Sequence, residues 1–398
     1  MSERPLDIGR PYLVVPKLVE QSTWGGDYIA AMKQWGDHEQ LAGRRLGQSY
    51  ELFSGSNLSL ADSSLNPDFQ GELTDRDAVE RLTAPLGTVS LANLIKTDPE
   101  AVLGREMAAR TAGVLNVLIK LTQAMGNSFQ IHIKDGTTHP FWRPKPESWY
   151  YLEPGLMTLG VRPDVDWQAY QAALTALDDQ ITVLQDHVRA GDMTYDDAQI
   201  KIDELVKKYN PWAYVNTVEV SRDQLVDLSG GGLHHSWEED AARLPHGNVL
   251  YELQLEAMDH NSTIRGFDKG KMARDGSVRK LNVRDYFALI DRTPEVNDPA
   301  SHMGTSEILS STEAHVLEKL LGTPYYSLHK LTLLQPGSTY NESTTEYRHV
   351  FVKEGAVEVS TAAGMVVLTR GHSCFVPASA HEYSVVSASG PSEVLITT

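Results

Sequence analysis

The chain has one cysteine in 398 residues, Cys374, so it can hold neither an internal disulfide framework nor a cysteine-rich zinc module. It lies in G-H-S-C-F-V-P among alternating apolar residues and is expected to act as a small buried hydrophobe. Long apolar runs are missing too. None approaches a membrane span, and the opening M-S-E-R-P-L-D carries no apolar stretch of the signal-peptide kind, so no membrane association and a cytoplasmic location are the expectations. Basic residues are scarce, 35 Lys and Arg against 53 Asp and Glu for a net charge of −18, and nothing forms a basic stripe. A nucleic-acid partner is therefore not expected. No glycine-rich phosphate loop is present either.

What is there is an ordinary globular composition, 41% hydrophobic and 22% charged, over a length that allows two or three domains and a substantial core. The most informative stretch runs from Lys120 to Glu147. Ser128, Gln130 and His132 alternate with Phe129, Ile131 and Ile133, the period of a half-buried strand, so three polar side chains leave one face together. Gln beside His offers an amide oxygen and an imidazole nitrogen to a shared point, either as metal ligands or as hydrogen-bonding groups. Pro146 biases Lys145 toward extended backbone, so Lys145 and Glu147 can share a face, and the apolar W-Y-Y-L continues the strand. Glu147 is then available as a third ligand, with Lys145 as a cation beside it.

Elsewhere the chain reads as strands interrupted by helices. P-Y-L-V-V-P-K-L is a short strand near the start, Trp24-Gly25-Gly26 a tight turn, and Gln48 to Phe53 another strand. Asp75 to Leu82 and Ser90 to Leu103 have helical spacing, with Ser90 as cap and Gly104 as stop. Trp167, Tyr170, Leu174, Leu177, Ile181, Leu184 and Val188 fall three and four apart, which predicts one apolar seam along a helix of about six turns. After the break at Ala190-Gly191-Asp192, Thr194 caps a second helix with Asp196 and Asp197 in its first turn and Lys207 and Lys208 in its last. The pair predicts a helical hairpin at about 164–210. Asn297 to Thr305 reads as a polar linker, and from Tyr325 onward short strands separated by turn signals predict a small barrel or sandwich.

Four motifs in order, S-F-Q-I-H, K-P-E-S-W-Y, L-Y-E-L-Q and N-S-T-I-R-G-F-D, resemble the signature of class I mannose-6-phosphate isomerases, a family of the cupin superfamily. L-V-E-Q-S-T-W-G-G, G-Q-S-Y-E-L and S-L-A-N-L-I-K-T-D-P-E-A-V-L-G are similar to the family's opening motifs, so the resemblance covers nearly the whole chain apart from the helical insertion. It implies a mainly β fold with helical insertions, built from two cupin domains of the β-barrel or jelly-roll kind plus a helical segment. The metal-binding barrel would occupy 1–300 and a smaller, metal-free one 310–398, where His349 and His381 are the plausible ligand histidines but no carboxylate is clearly spaced beside them.

The resemblance further implies one divalent metal, zinc in the family, on Gln130, His132, Glu147 and His234, although this donor set also suits manganese, cobalt, nickel or iron. His234 follows Ser229-Gly230-Gly231-Gly232-Leu233, where the neighbouring His235 offers a competing register. The implied reaction interconverts mannose 6-phosphate and fructose 6-phosphate through an enediolate. Arg265 and Lys145 would be the catalytic groups, Ser128 and Lys120 the substrate-binding ones. A sugar phosphate approaching so acidic a chain needs a local basic cluster, for which Lys120, Lys134, Lys145 and Arg265 are the candidates. Family members often carry an aspartate four residues before the matching arginine, and here Asn261 stands there with Asp259 two residues earlier. An amide takes up no proton near neutral pH, so the position is expected not to be the base, and Asp259→Asn is expected to leave activity largely unchanged. An isomerase of another sugar phosphate, a non-catalytic sugar-binding cupin and a metal-dependent oxygenase are the alternatives. A monomer is favoured, with the oligomeric state left open.

Overall fold

The computed structural model describes residues 8–21, 24–37, 41–61, 88–236 and 242–398. The helix expected at Asp75 to Leu82 lies outside the described residues. By contact the chain groups into two compact units, each drawing on separated stretches: 1–123 with 249–256 and 304–398, and 124–248 with 257–303. Among the described residues no helix is long and apolar enough to cross a membrane.

In the first unit P-Y-L-V-V-P-K-L is two strands rather than one, Tyr12–Val15 and Lys17–Glu20. Pro16 separates them, because a proline has no N–H to give to a ladder. Tyr12–Val15 pairs with Ser373–Val376 on one side and Asn57–Ser59 on the other, inside a nine-stranded sheet, while Lys17–Glu20 pairs with Leu46–Leu52. A second sheet of four strands, between Thr339 and Ser387, faces the nine-stranded one. Val350, Val352, Val394 and Ile396 of one sheet pack against Val357, Val359, Leu368 and Val385 of the other, with Cys374 fully buried among them.

The helix expected from Ser90 to Leu103 is two, Leu91–Thr97 and Pro99–Leu103. Ser90 caps the first as expected. Pro99, lacking an N–H, starts a new helix under a cap from Asp98. Gly104 ends it at φ +96, where a Cβ would run into the Thr345 carbonyl.

The second unit is organised on a five-stranded sheet in the order Val215–Val220, Gly155–Val161, His234–Ser236, Phe129–Ile131, Ile264–Phe267. Its two faces differ sharply. Phe129, Ile131, Ile264 and Phe267 point to a core completed by Tyr170, Leu174, Leu177 and Ile181 of the helix Trp167–Ala190 and by Tyr286 and Phe287 of the helix Val283–Leu289. The predicted apolar seam is thus what docks the hairpin on the sheet. Asp166 caps this helix and Gly191, in the left-handed region, ends it, and Thr194 caps the partner helix Tyr195–Tyr209.

The segment from Asn297 to Thr305, expected as a linker, contains the Met303/Gly304 boundary between the two units, and its first residues are pinned in place. The Asn297 side chain accepts from the Val161 N–H and donates to the carbonyls of Asp291 and Thr293. A short 3-10 helix, Pro299–His302, follows, and His302 bonds the carbonyls of Asp227 and Val296.

Candidate functional site

The polar face of the five-stranded sheet carries the site. Gln130 lies opposite His234 on one side and Arg265 on the other, and residues directly opposite in a ladder share a face, so the three side chains form one row across the sheet. His132 continues that face two residues along. From across the gap, the strand Glu147–Tyr151, paired with Leu225–Asp227, presents Glu147 and Trp149. The Glu147 Oε2 lies 3.1 Å from the His132 Nε2, and the Trp149 indole stands edge-on to the His234 ring with centroids 5.2 Å apart. His132, Glu147 and His234 thereby bring one ligand atom each to within 4.8 Å of one another, all buried. Such a grouping can hold a metal ion.

The protonation pattern fits that use. His132 Nδ1 is 2.6 Å from the Ser262 carbonyl and His234 Nδ1 is 3.2 Å from the Gly232 carbonyl. A carbonyl only accepts, so both Nδ1 atoms carry the proton and both Nε2 atoms present a lone pair inward. Burial pushes both imidazoles toward the neutral form, with Lys145 adding to the effect on His132 and His132 to that on His234, which falls to about 3. Glu147 goes the other way. Burial alone would raise it, but the Lys145 ammonium 2.8 Å away outweighs that and holds it well below its ordinary value, hence ionised. A neutral imidazole lone pair and a carboxylate oxygen then face each other at 3.1 Å with no proton between them, an arrangement that a cation among the three would stabilise.

Gln130 donates from its amide Nε2 to the His234 Nε2 at 3.0 Å. As a fourth ligand it would present its Oε1 instead, by turning the amide over. His235 faces away. Its ring packs on Phe129 at 5.0 Å, on the core side of the sheet. The triple glycine makes this delivery possible, since Gly231 and Gly232 adopt φ of +87 and +107 and a Cβ at Gly232 would press on Val296 at 3.2 Å.

Lys145 places its Nζ 2.8 Å from the Glu147 Oε2. Arg265, its side chain 10% exposed, gives Nη2 to both carboxylate oxygens of Asp259 at 2.8 and 2.7 Å, while its Nε has no partner among the described residues. The Ser128 hydroxyl is also buried, with no partner among the described residues. Lys120 belongs to the other unit, where it pairs with Glu252 at 3.0 Å and Gln254 at 3.1 Å. Lys134 is exposed.

Sequence reasoning missed the one-turn helix Asp259–Ser262, which puts the Asp259 carboxylate on Arg265 and the Ser262 carbonyl on His132. The spacing of six residues between Asp259 and Arg265 is the only trace of it in the sequence. The protein crowding around Asp259 works against its charge although 64% of the side chain stays exposed, but Arg265 and Lys145 overcome this and draw the carboxyl down to about 2. A separate cavity of about 250 Å³ is lined by Lys134, Thr137, Gly230 to Gly232, Leu289 and Asp291 and touches His132, but none of Gln130, Glu147, His234 or Arg265.

No family model matches the chain, and no curated protein matches it in sequence. Solved structures do. The chain is similar to the mannose 6-phosphate isomerase from Bacillus subtilis, at 15% identity and a TM-score of 0.62 over 98% of this chain and 99% of that one. It is similar to a mutant of phosphomannose isomerase from Salmonella typhimurium, at 12% identity and a TM-score of 0.63 over 98% and 99%. A mannose 6-phosphate isomerase in its zinc-bound holo form matches at 13% identity and a TM-score of 0.60 over 96% and 98%. The fold is therefore that of the mannose 6-phosphate isomerases, mainly β with helical insertions, along nearly the whole chain.

Proposed function

We propose that the chain is a metal-dependent aldose–ketose isomerase that interconverts mannose 6-phosphate and fructose 6-phosphate. The observation that carries this reading is the convergence of two imidazoles with Nε2 atoms turned inward and one ionised carboxylate, flanked by Lys145 and by the row that ends in Arg265, in a fold shared with mannose 6-phosphate isomerases. His132, Glu147 and His234, with Gln130 as fourth, are the residues we assign to one divalent metal, zinc by preference. Bound there, the metal would supply positive charge to the oxygens on which negative charge develops.

The reaction moves hydrogen between C1 and C2. The C2–H bond breaks, an enediolate forms, and a C1–H bond is made while the hydroxyl proton passes from O2 to O1. Arg265 is the group we assign to the charge on that enediolate, because a guanidinium stabilises it without giving up its own proton. Its Nε–H, unpartnered and buried, is the donor available to a substrate oxygen. Lys145 carries transferable protons and is the candidate for holding or moving the one exchanged between O1 and O2. Trp149 holds the Glu147 Oε1 through its indole N–H at 2.5 Å, which fixes the carboxylate while Oε2 faces the cluster. Ser128 and Lys120 are proposed as substrate contacts.

The division into a metal-bearing barrel over 1–300 and a metal-free one over 310–398 belongs to the same proposal and follows barrel motifs rather than contact. Elemental analysis of the purified chain combined with a panel of sugar phosphates tests the reading. One equivalent of divalent metal with turnover of mannose 6-phosphate supports it, turnover of another aldose phosphate alone moves the substrate, and a metal-loaded chain inert to the whole panel defeats it.

A further inference from the structure

A phosphate brought to a chain of net charge −18 needs a cation that no carboxylate has already claimed. The four basic residues considered so far are each paired or exposed. Lys145 sits on Glu147 at 2.8 Å, Lys120 on Glu252 at 3.0 Å and Arg265 on Asp259 at 2.7 Å, while Lys134 is exposed. Lys17 differs from all of them. It is 5% exposed, and its ammonium makes neither a hydrogen bond nor an ion pair with any of the described residues. It lies instead over the rings of Tyr50 and Phe53, 5.7 and 6.0 Å from their centroids, and those two rings meet edge to face at 5.6 Å. Glu256 acts on it through space only. The Glu256 carboxylate is taken up by the Ser54 N–H at 2.8 Å and the Ser54 hydroxyl at 2.9 Å.

The backbone register sets the face on which Lys17 stands. Lys17 is directly opposite Tyr50, and Tyr50 is directly opposite Lys120 on the strand Val117–Ala124, so the three side chains form one row across three neighbouring strands. Adjacent strands lie about 4.8 Å apart, which puts the backbones of the two lysines about 10 Å apart with an aromatic ring between them. Their situations are not equivalent. Lys120 is answered by Glu252 and by the Gln254 amide oxygen, whereas Lys17 brings three N–H donors and no acceptor. Ring faces support an ammonium removed from water but leave its hydrogen bonds unfilled, so the donors stay available to a ligand. Burial draws the Lys17 ammonium below its ordinary value and Glu256 only partly opposes this; an anion against the N–H groups would oppose it further. With Lys120 assigned above to the substrate, the row suits a molecule that carries hydroxyls at one end and a dianion at the other, as an open-chain hexose 6-phosphate does.

We propose that Lys17 is the phosphate anchor of this chain, holding the 6-phosphate while Lys120 meets the sugar. The sugar rests on the isomerase reading above; the anion does not. Metal-loaded wild type, Lys17→Met and Lys17→Arg are compared by calorimetric titration with inorganic phosphate and by steady-state kinetics on mannose 6-phosphate and on free mannose. Lys17→Met is expected to weaken phosphate binding and to raise KM for mannose 6-phosphate, each about tenfold or more, the scale of a hydrogen bond to a charged group. Its kcat and metal content should not change. Its Tm should hold or rise, because Met fills the same space without burying a charge. Lys17→Arg, which keeps the charge, should restore most of the phosphate affinity. Free mannose has no phosphate, so wild type and Lys17→Met should handle it alike. Unchanged phosphate affinity in Lys17→Met overturns the anchor, as does an equal penalty on mannose and mannose 6-phosphate. A lowered Tm in both variants with no recovery in Lys17→Arg makes the residue structural and overturns it too. A wild type that binds phosphate through Lys17 yet turns over no sugar phosphate defeats the isomerase reading and leaves the anchor standing.

Discussion

Replacing Asp259 by Asn separates a residue that steadies Arg265 from one that moves protons. The carboxylate takes both of its contacts from one guanidinium nitrogen, at 2.8 and 2.7 Å, but its side chain is 64% exposed while that of Arg265 is 10% exposed. Water therefore competes with the pair. Exposed ion pairs are worth ~0.2–1 kcal/mol, and the upper end suits this two-point geometry, so removing the charge should cost about 1 kcal/mol, roughly a fivefold loss in kcat/KM. Asn keeps the shape and one acceptor, which limits the loss further. With the carboxyl drawn down to about 2, the pair is fully formed across any working pH, and Asp259 should contribute no inflection to the rate between pH 5 and 9. The assay is kcat/KM for mannose 6-phosphate against pH, with metal content and Tm measured alongside. A loss of a hundredfold or more with metal and folding preserved would show that Asp259 carries the proton and that the reasoning from its pairing is wrong.

Lys145→Ala and Arg265→Ala should each lower kcat by about 10² or more, the usual scale for proton-transfer and charge-stabilising groups, while metal content stays intact; losses confined to KM would make them anchors instead. Glu147→Ala and His234→Ala should each empty the metal site, whereas His235→Ala, whose ring packs on Phe129, should keep the metal and show its effect in thermal stability; elemental analysis of the three variants decides. Acidification should destabilise the metal-free protein. Burial first, then neighbouring cations or His132, lowers His234 and His349 to about 3 and His372 to about 4, so below the ordinary histidine value the unfolded chain takes up protons that the folded one does not. Stability is thus full above about pH 6.5 and falls below it, by about 4 kcal/mol at pH 5.5 for three such groups, and denaturant titrations giving a flat profile from pH 7.5 to 5.5 would contradict this.

How much of this was legible in the sequence depended on whether the signal was local. The alternation through Ser128, Gln130 and His132 is a two-residue period, and it placed those side chains on one face without any knowledge of their neighbours. The seam from Tyr170 to Ile181 is equally local, and it names the face that docks on the sheet. Pro16 and Pro99 were visible as letters, but each interrupts an apolar pattern that continues across it, so one strand and one helix were read where the chain makes two of each. The anchoring role of Asn297 was hidden for the opposite reason. Its polar, proline-flanked surroundings look like a linker, while its amide satisfies Val161, Asp291 and Thr293 through contacts that span up to 136 residues. The pairing of Tyr12–Val15 with Ser373–Val376 leaves no trace in either segment, since a strand's composition does not name its partner.

The central claim, a sugar-phosphate isomerase with its metal on His132, Glu147 and His234, is met most directly by incubating the metal-loaded protein with mannose 6-phosphate in deuterated water and following the sugar by NMR. The account predicts that fructose 6-phosphate accumulates toward equilibrium, that carbon-bound deuterium is found only at C1 and C2, and that Glu147→Ala does neither. Folded, metal-loaded wild type that forms no ketose phosphate would contradict it.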